Sequence, residues 1–217
     1  GFRLAPLRIL EGEEPTYFLV LNIYQSSGGL VDGARAEWSV FVQDPETDIP
    51  RFLVVQAAAE NISADPVNLL TPPEPVSHVL EDGQVISYVG QTQADGSESL
   101  YFRSAFDWPD DQSQTSGFAR EFVAANDYIF WGNAVADRGT FNGSVYAREA
   151  VLIPNSALEM VDNSYWSRFI KPVPRHTLVY QNPLEIIISP WWNLEADYLD
   201  VGPGFLQQLV DFSNILL

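Results

Sequence analysis

Cysteine is absent from this chain of 217 residues. Its absence excludes thiolate nucleophiles, Cys-ligated zinc, iron–sulfur clusters and structural disulfides, and leaves the redox compartment open. Lysine is nearly absent as well: Lys171 stands alone, and the rest of the 11 cationic residues are arginine. Against them stand 29 acids, for a formal net charge of -18. Such a chain repels polyphosphate and anionic lipid, and its arginines gather in no basic patch, so nucleic acid is excluded as a partner. Long apolar runs are also missing. The longest, such as 17–21 and 186–188, fall far short of the ~20 residues needed to cross a bilayer, so no membrane span is expected. No basic segment followed by an apolar stretch lies at Gly1, which predicts a signal peptide already removed or never present. Acidity with arginine preferred over lysine favours a secreted or periplasmic setting slightly over a cytoplasmic one. Asn61-Ile62-Ser63 and Asn142-Gly143-Ser144 fit the glycosylation acceptor pattern, which matters only in a eukaryotic secretory route.

Several catalytic signatures are missing too. There is no Gly-rich nucleotide loop and no G-x-S-x-G elbow. His78 and His176 lie far apart in sequence, with no i, i+4 partner and no metal-ligand spacing. No cofactor and no metal are expected.

What is present suits a β protein. Hydrophobic residues make up 46% and aromatic residues 13% of the chain, enough for a sizeable core in one domain spanning 1–217. Short β-rich segments are predicted over 17–24, 34–42, 52–58, 84–92, 100–108, 128–131, 144–153, 176–180 and 184–188. Gly28-Gly29, Asp44-Pro45, Asp82-Gly83, Asp95-Gly96 and Asn142-Gly143 separate several of them. The Asp-Gly and Asn-Gly pairs mark hairpins because these residues tolerate positive φ. Two helices are expected, one over 116–125 with Phe118 and Phe122 on one face, and an amphipathic one over about 204–217. The fold class is mainly β, or β-rich α+β: an antiparallel β-barrel or strongly bent sheets with one or two peripheral helices.

The strand 34–42 is the most informative. Alternation places Ala36, Trp38, Val40 and Val42 on one face and Arg35, Glu37 and Ser39 on the other. In an open sandwich that polar face meets water; in a closed barrel Arg35 and Glu37 would form a buried acid–base or anion-binding pair. The strand 100–108 repeats the pattern, with Tyr101 and Arg103 on the face of Ala105 and Asp107. Asp137 and Arg138, following Trp131, form a third cluster beside aromatic side chains. An arginine next to a carboxylate can clamp a substrate carboxylate, and aromatic rings make pocket walls. Glu37, Arg35 and His78 are the candidate catalytic residues. Arg103, Tyr101, Trp38, Trp131, Asp137 and Arg138 are the candidate substrate-binding ones. Surface or packing ion pairs are the plainer reading of all three clusters.

The succession Ala36-Glu37-Trp38-Ser39-Val40, Arg51-Phe52-Leu53-Val54-Val55, Ala64-Asp65-Pro66-Val67-Asn68 and Thr71-Pro72-Pro73-Glu74-Pro75 resembles the acetoacetate decarboxylase-like superfamily. The hairpin 76–80 with 84–90 and the segments 144–154 and 173–188 follow the same order. The resemblance is one of order and spacing over most of the chain, with no shared invariant motif. It implies a lyase or hydratase working on a small carbonyl compound. The family's decarboxylases use a Schiff-base lysine beside a second lysine; Pro73 and Glu74 stand there in this chain, and Lys171 lies far downstream. The resemblance therefore implies chemistry without an imine, through Glu37, Arg35, Arg103 or His78 as acid, base or oxyanion partner.

The leading expectation is binding or acid–base transformation of a small carbonyl or carboxylate compound in a barrel pocket. The rivals are a non-catalytic accessory subunit and a lipocalin-like carrier of an apolar ligand. A subunit would dock on a second copy or another protein through the helix over about 204–217 and Trp191-Trp192.

Overall fold

The computed structural model describes residues 3–26, 33–43, 50–60, 74–109, 117–119, 122, 127–131, 140–146, 150–170, 173–180 and 185–188, with 127–131, 140–146 and 185–188 described by backbone path alone. Alternating apolar side chains and β-branched residues form strands β1 (Arg3–Leu4), β2 (Leu19–Ser26), β3 (Gly33–Gln43), β4 (Pro50–Ala59), β5 (Val76–Glu81), β6 (Gln84–Thr92) and β7 (Glu98–Asp107). Shorter strands follow: β8 (Asp127–Trp131), β9 (Thr140–Tyr146), β10 (Ala150–Ile153), β11 (Glu159–Asp162), β12 (Thr177–Tyr180) and β13 (Glu185–Ile188). Single 3-10 turns lie at Asn155–Ala157 and Tyr165–Arg168. The class is mainly β, and no helix among the described residues is long and apolar enough to cross a membrane.

The strands make three sheets. The seven-stranded sheet runs β1-β3-β4-β8-β9-β13, with β2 also paired to β3. The four-stranded sheet is β11-β7-β6-β5, and β10 pairs with β12 alone. Among the described residues the sheets do not close into the expected barrel. Closure would need the outer strands of one sheet to pair; here a separate meander packs face-on instead. Pairing is antiparallel except at β4 and β8, which run parallel from Phe52↔Tyr128 to Val54↔Phe130.

Two Asp-Gly hairpins form where the sequence predicts them. Asp82 and Gly83 take φ of 50° and 79°, the paired positive values of a type I′ turn, and join β5 to β6. Gly96, at φ 79°, helps close the β6–β7 turn, where the Gln93 N–H donates to the Ser97 carbonyl. Asn142-Gly143 does not turn: both residues lie inside β9 and pair with β8, and Gly143 pairs with β13 as well. The expected strand 144–153 accordingly divides into β9 and β10. Of the helix expected over 116–125, residues 117–119 and 122 are described. Gly117 sits at φ 107°, Phe118 bridges to Leu10, and the Ala119 N–H donates to the Ile9 carbonyl, so 117–119 follow the N-terminal segment, while Phe122 is helical. Phe118 and Phe122 still meet, with ring centroids 5.6 Å apart. The helix expected over about 204–217 lies outside the described residues.

β3 is the centre of the molecule, buried on both faces. Ala34, Ala36 and Trp38 meet Ala58, Val76, Val89, Tyr101 and Phe102 between the two larger sheets. On the far side Phe41 and Phe52 pack under Ala5, Leu7, Ile9 and Phe122. Each large apolar side chain withdrawn this way contributes about 1.5–3 kcal/mol. Farther along the same face of the four-stranded sheet, Val151 and Ile153 of β10 cover Val85 and Phe106.

Candidate functional site

Because the far face of β3 is covered rather than wet, its polar residues are buried. Glu37 and Arg35 sit two residues apart on that face, and Arg35 Nε lies 2.6 Å from Glu37 Oε1, with side chains 12% and 2% exposed respectively. The contact is an ion pair whose alignment falls short of a hydrogen bond at Nε. The Tyr24 hydroxyl, from the strand next door, donates to the same Glu37 oxygen at 3.1 Å. Register places Tyr24 opposite Arg35 and Asn22 opposite Glu37 on one side. On the other side stand Ala59 and Ala57, side chains too small to fill the face. Next along β3, Ser39 is fully buried, and its Oγ has no hydrogen-bond partner. A hydroxyl left so costs about 1–3 kcal/mol, which sets it apart from an ordinary core position.

This row of hydroxyl, carboxylate, guanidinium and phenol can hold an anionic or carbonyl oxygen and move a proton. The sequence singled out Arg35 and Glu37 but not Tyr24. The available clue was Gly28-Gly29, since folding 17–24 back on 34–42 there puts Tyr24 on the Arg35 face.

The other candidates are dispersed. Trp38 faces away from Glu37 and packs edge-on against Tyr101, ring centroids 5.5 Å apart. The expected common face of Tyr101 and Arg103 is broken by a β-bulge: Val89 pairs with Phe102 and Gly90 with Leu100, which leaves Tyr101 free to turn inward beside Phe102. There the Tyr101 hydroxyl accepts from Gln56 Nε2 (3.1 Å) and the Tyr165 N–H (3.1 Å), while Trp166 Nε1 donates to Gln56 Oε1 at 2.8 Å. That network ties both larger sheets to the Tyr165–Arg168 turn. Arg103 stays on the outer face of the four-stranded sheet, opposite Tyr88 and Val161. His78 lies on β5, on the side of the seven-stranded sheet away from Glu37, so the structure does not bring these two together. Trp131 is placed by its backbone in β8. Asp137, Arg138, Lys171 and Trp191-Trp192 lie outside the described residues. Glu74, at the position where the resemblance implies a lysine, accepts the Thr92 N–H at 2.8 Å. No group of three or more His, Asp or Glu side chains with metal-binding geometry occurs among the described residues.

A second charged cluster sits at the N-terminal segment. His176 Nε2 and Arg175 Nη2 lie 3.1 and 3.5 Å from Glu13 Oε1, and Arg175 Nη1 donates to Thr16 Oγ1 at 2.9 Å. The pairs clasp the segment ahead of β2 to that ahead of β12. Partial burial pushes the Glu13 carboxyl up, but the Leu10 N–H and the His176 and Arg175 charges outweigh it and hold the pKa below the ordinary 4.5. A depressed carboxyl pKa stabilises above the unfolded value and ceases to do so as pH falls through the folded one. Thermal unfolding from about pH 6 to about pH 3 should therefore show a steeper acid loss for the native chain than for Glu13→Gln. Equal slopes would show that the clasp does not act.

No family model matches the chain, and no curated protein matches it by sequence. Among solved structures, an acetoacetate decarboxylase from Legionella pneumophila superposes with a TM-score of 0.56 at 9% identity, the match covering 91% of this chain and 85% of that one. At that identity the likeness is one of fold, and the chain has an acetoacetate decarboxylase-like fold.

Proposed function

We propose that the polar face of β3 binds a small carbonyl or carboxylate compound and performs acid–base chemistry on it without a Schiff-base lysine. The observation that carries this reading is the buried Arg35–Glu37 pair, bonded by Tyr24 and followed by the unpartnered Ser39 hydroxyl. The fold supports it, since the similar structure is an enzyme named for acetoacetate, a small keto acid. In this chemistry the Glu37 carboxylate takes a proton from the carbon beside the carbonyl. The electron pair of the broken C–H bond moves onto the carbonyl oxygen, where the Arg35 charge and a hydroxyl hydrogen bond stabilise the oxyanion. Return of the proton, or departure of a β-hydroxyl as water, completes an isomerase-like or hydratase-like cycle.

The test is exchange of α-protons for deuterium in a panel of small keto acids, followed by NMR with the full chain. The native protein should catalyse exchange of at least one compound, and Glu37→Gln, checked for native circular dichroism, should lower the rate about a hundred- to ten-thousand-fold. Borohydride added with the keto acid should leave activity intact. Inactivation by borohydride would establish an imine and overturn the mechanism. Absence of both exchange and binding across the panel would overturn the site.

A further inference from the structure

We propose that His78 makes the edge strand β5 an acid-released element, paired to β6 at neutral pH and opening from its Glu81 end when the imidazole is protonated. β5 pairs with β6 alone among the described strands, and its inner side lies against β2 and β3. Its three inward side chains are graded. Val76 is buried, His78 is half-buried, and Leu80 is 59% exposed. His78 is thus the last inward anchor before the strand meets water. Its Nδ1 lies 2.9 Å from the hydroxyl of Ser87, the residue opposite on β6, and Ser104 of β7 stands next in the same buried row.

No charged side chain compensates an imidazolium there. From β2 and β3 the facing residues are Leu21, Ile23, Ala34 and Ala36, while Arg35 and Glu37 lie on the opposite face of β3. Glu60 accepts the Ala34 N–H, and Glu74 accepts the Thr92 N–H. Glu81, exposed, and Glu98, Arg103 and Glu159 belong to the outer face of the four-stranded sheet. Met160 of β11 is the remaining neighbour in the row. Burial accordingly holds the imidazole's pKa below the ordinary 6.5. A lowered histidine pKa means the opened strand binds the proton better than the closed one. Closure is therefore fully favoured above the ordinary value and weakens as pH falls from it towards the folded value. Release is inexpensive because Val79 and Leu80 are already largely in water.

Native-state hydrogen exchange on the full chain, corrected for intrinsic rates, reads the opening directly. Between about pH 7.5 and about pH 5.5, protection of the Val79–Glu81 and Gln84–Ser87 amides should fall by up to about tenfold, while β3 and β4 keep theirs. His78→Gln, which can bond Ser87 but does not titrate, should abolish the fall. Unchanged native protection, the same fall in His78→Gln, or a parallel fall in β3 would overturn the proposal. Should His78→Gln fail to fold, the His78 ring resonance in the native chain decides: a midpoint below 6.5 that coincides with loss of β5 protection supports it, and one at or above 6.5 overturns it.

Discussion

Replacing Glu37 with alanine is expected to lower folding stability by about 3–5 kcal/mol, the loss seen when one partner of a buried ion pair is removed. Attraction between the two charges is not the main cause. The variant removes the Glu37 carboxylate from beside the Arg35 guanidinium, 12% exposed, and from the Tyr24 hydroxyl that donates to it. The desolvation of the buried guanidinium, no longer offset by the adjacent carboxylate, then opposes folding. The double replacement Arg35→Met with Glu37→Leu should recover most of the loss, because it removes both desolvation costs at once. Urea titration at neutral pH measures this, with unchanged slopes as the check on two-state unfolding. A single-variant loss below about 1 kcal/mol would mean that Arg35 reaches water in the folded chain, and would weaken the proposed site with it.

The second large effect lies on the opposite face of the same strand. Trp38→Ala should cost about 3–5 kcal/mol, the range for removing a large aromatic side chain from a packed interior. Trp38 is 2% exposed and fills the seam between the two larger sheets. Its edge-on contact with Tyr101 adds about 0.5–1.5 kcal/mol to simple burial. Trp38→Phe keeps part of both terms and should cost distinctly less. The experiment also separates two roles. A core residue lowers the thermal midpoint and leaves keto-acid binding unchanged in the fraction that stays folded. A residue lining the ligand site would lose binding with little change in stability, and that outcome would move the site to the Trp38 face.

Much of the local structure was legible because it is decided locally. Asp82-Gly83 turns where it is expected to, since both residues accept the positive φ that a two-residue hairpin requires. The strand 84–92 matches β6 at both ends, and the alternation of β3 separates Trp38 from Glu37 as expected. Failures came where a long-range partner outweighed local preference. Asn142-Gly143 carries the same turn chemistry as Asp82-Gly83, yet pairing to β8 on one side and β13 on the other holds it extended. Phe118 has helical spacing to Phe122, but bridging to Leu10 captures it first. Tyr101 left the face of Arg103 through a single bulge, a one-residue insertion that alternation cannot register.

By itself the sequence determined the chemical inventory: no thiol, one lysine, a strong excess of acid, and an Arg-x-Glu-x-Ser row on one face of a β-rich segment. Those are properties of residue types and of the two-residue period of a strand. Only the tertiary structure decided that this row is buried. Exposure of a strand face depends on what packs over it, and β3 became central because its chain neighbours β2 and β4 flank it while the N-terminal segment and a separate four-stranded meander cover its two faces. The same packing placed His78 and Glu37 on opposite sides of one sheet, a separation that no spacing along the chain encodes.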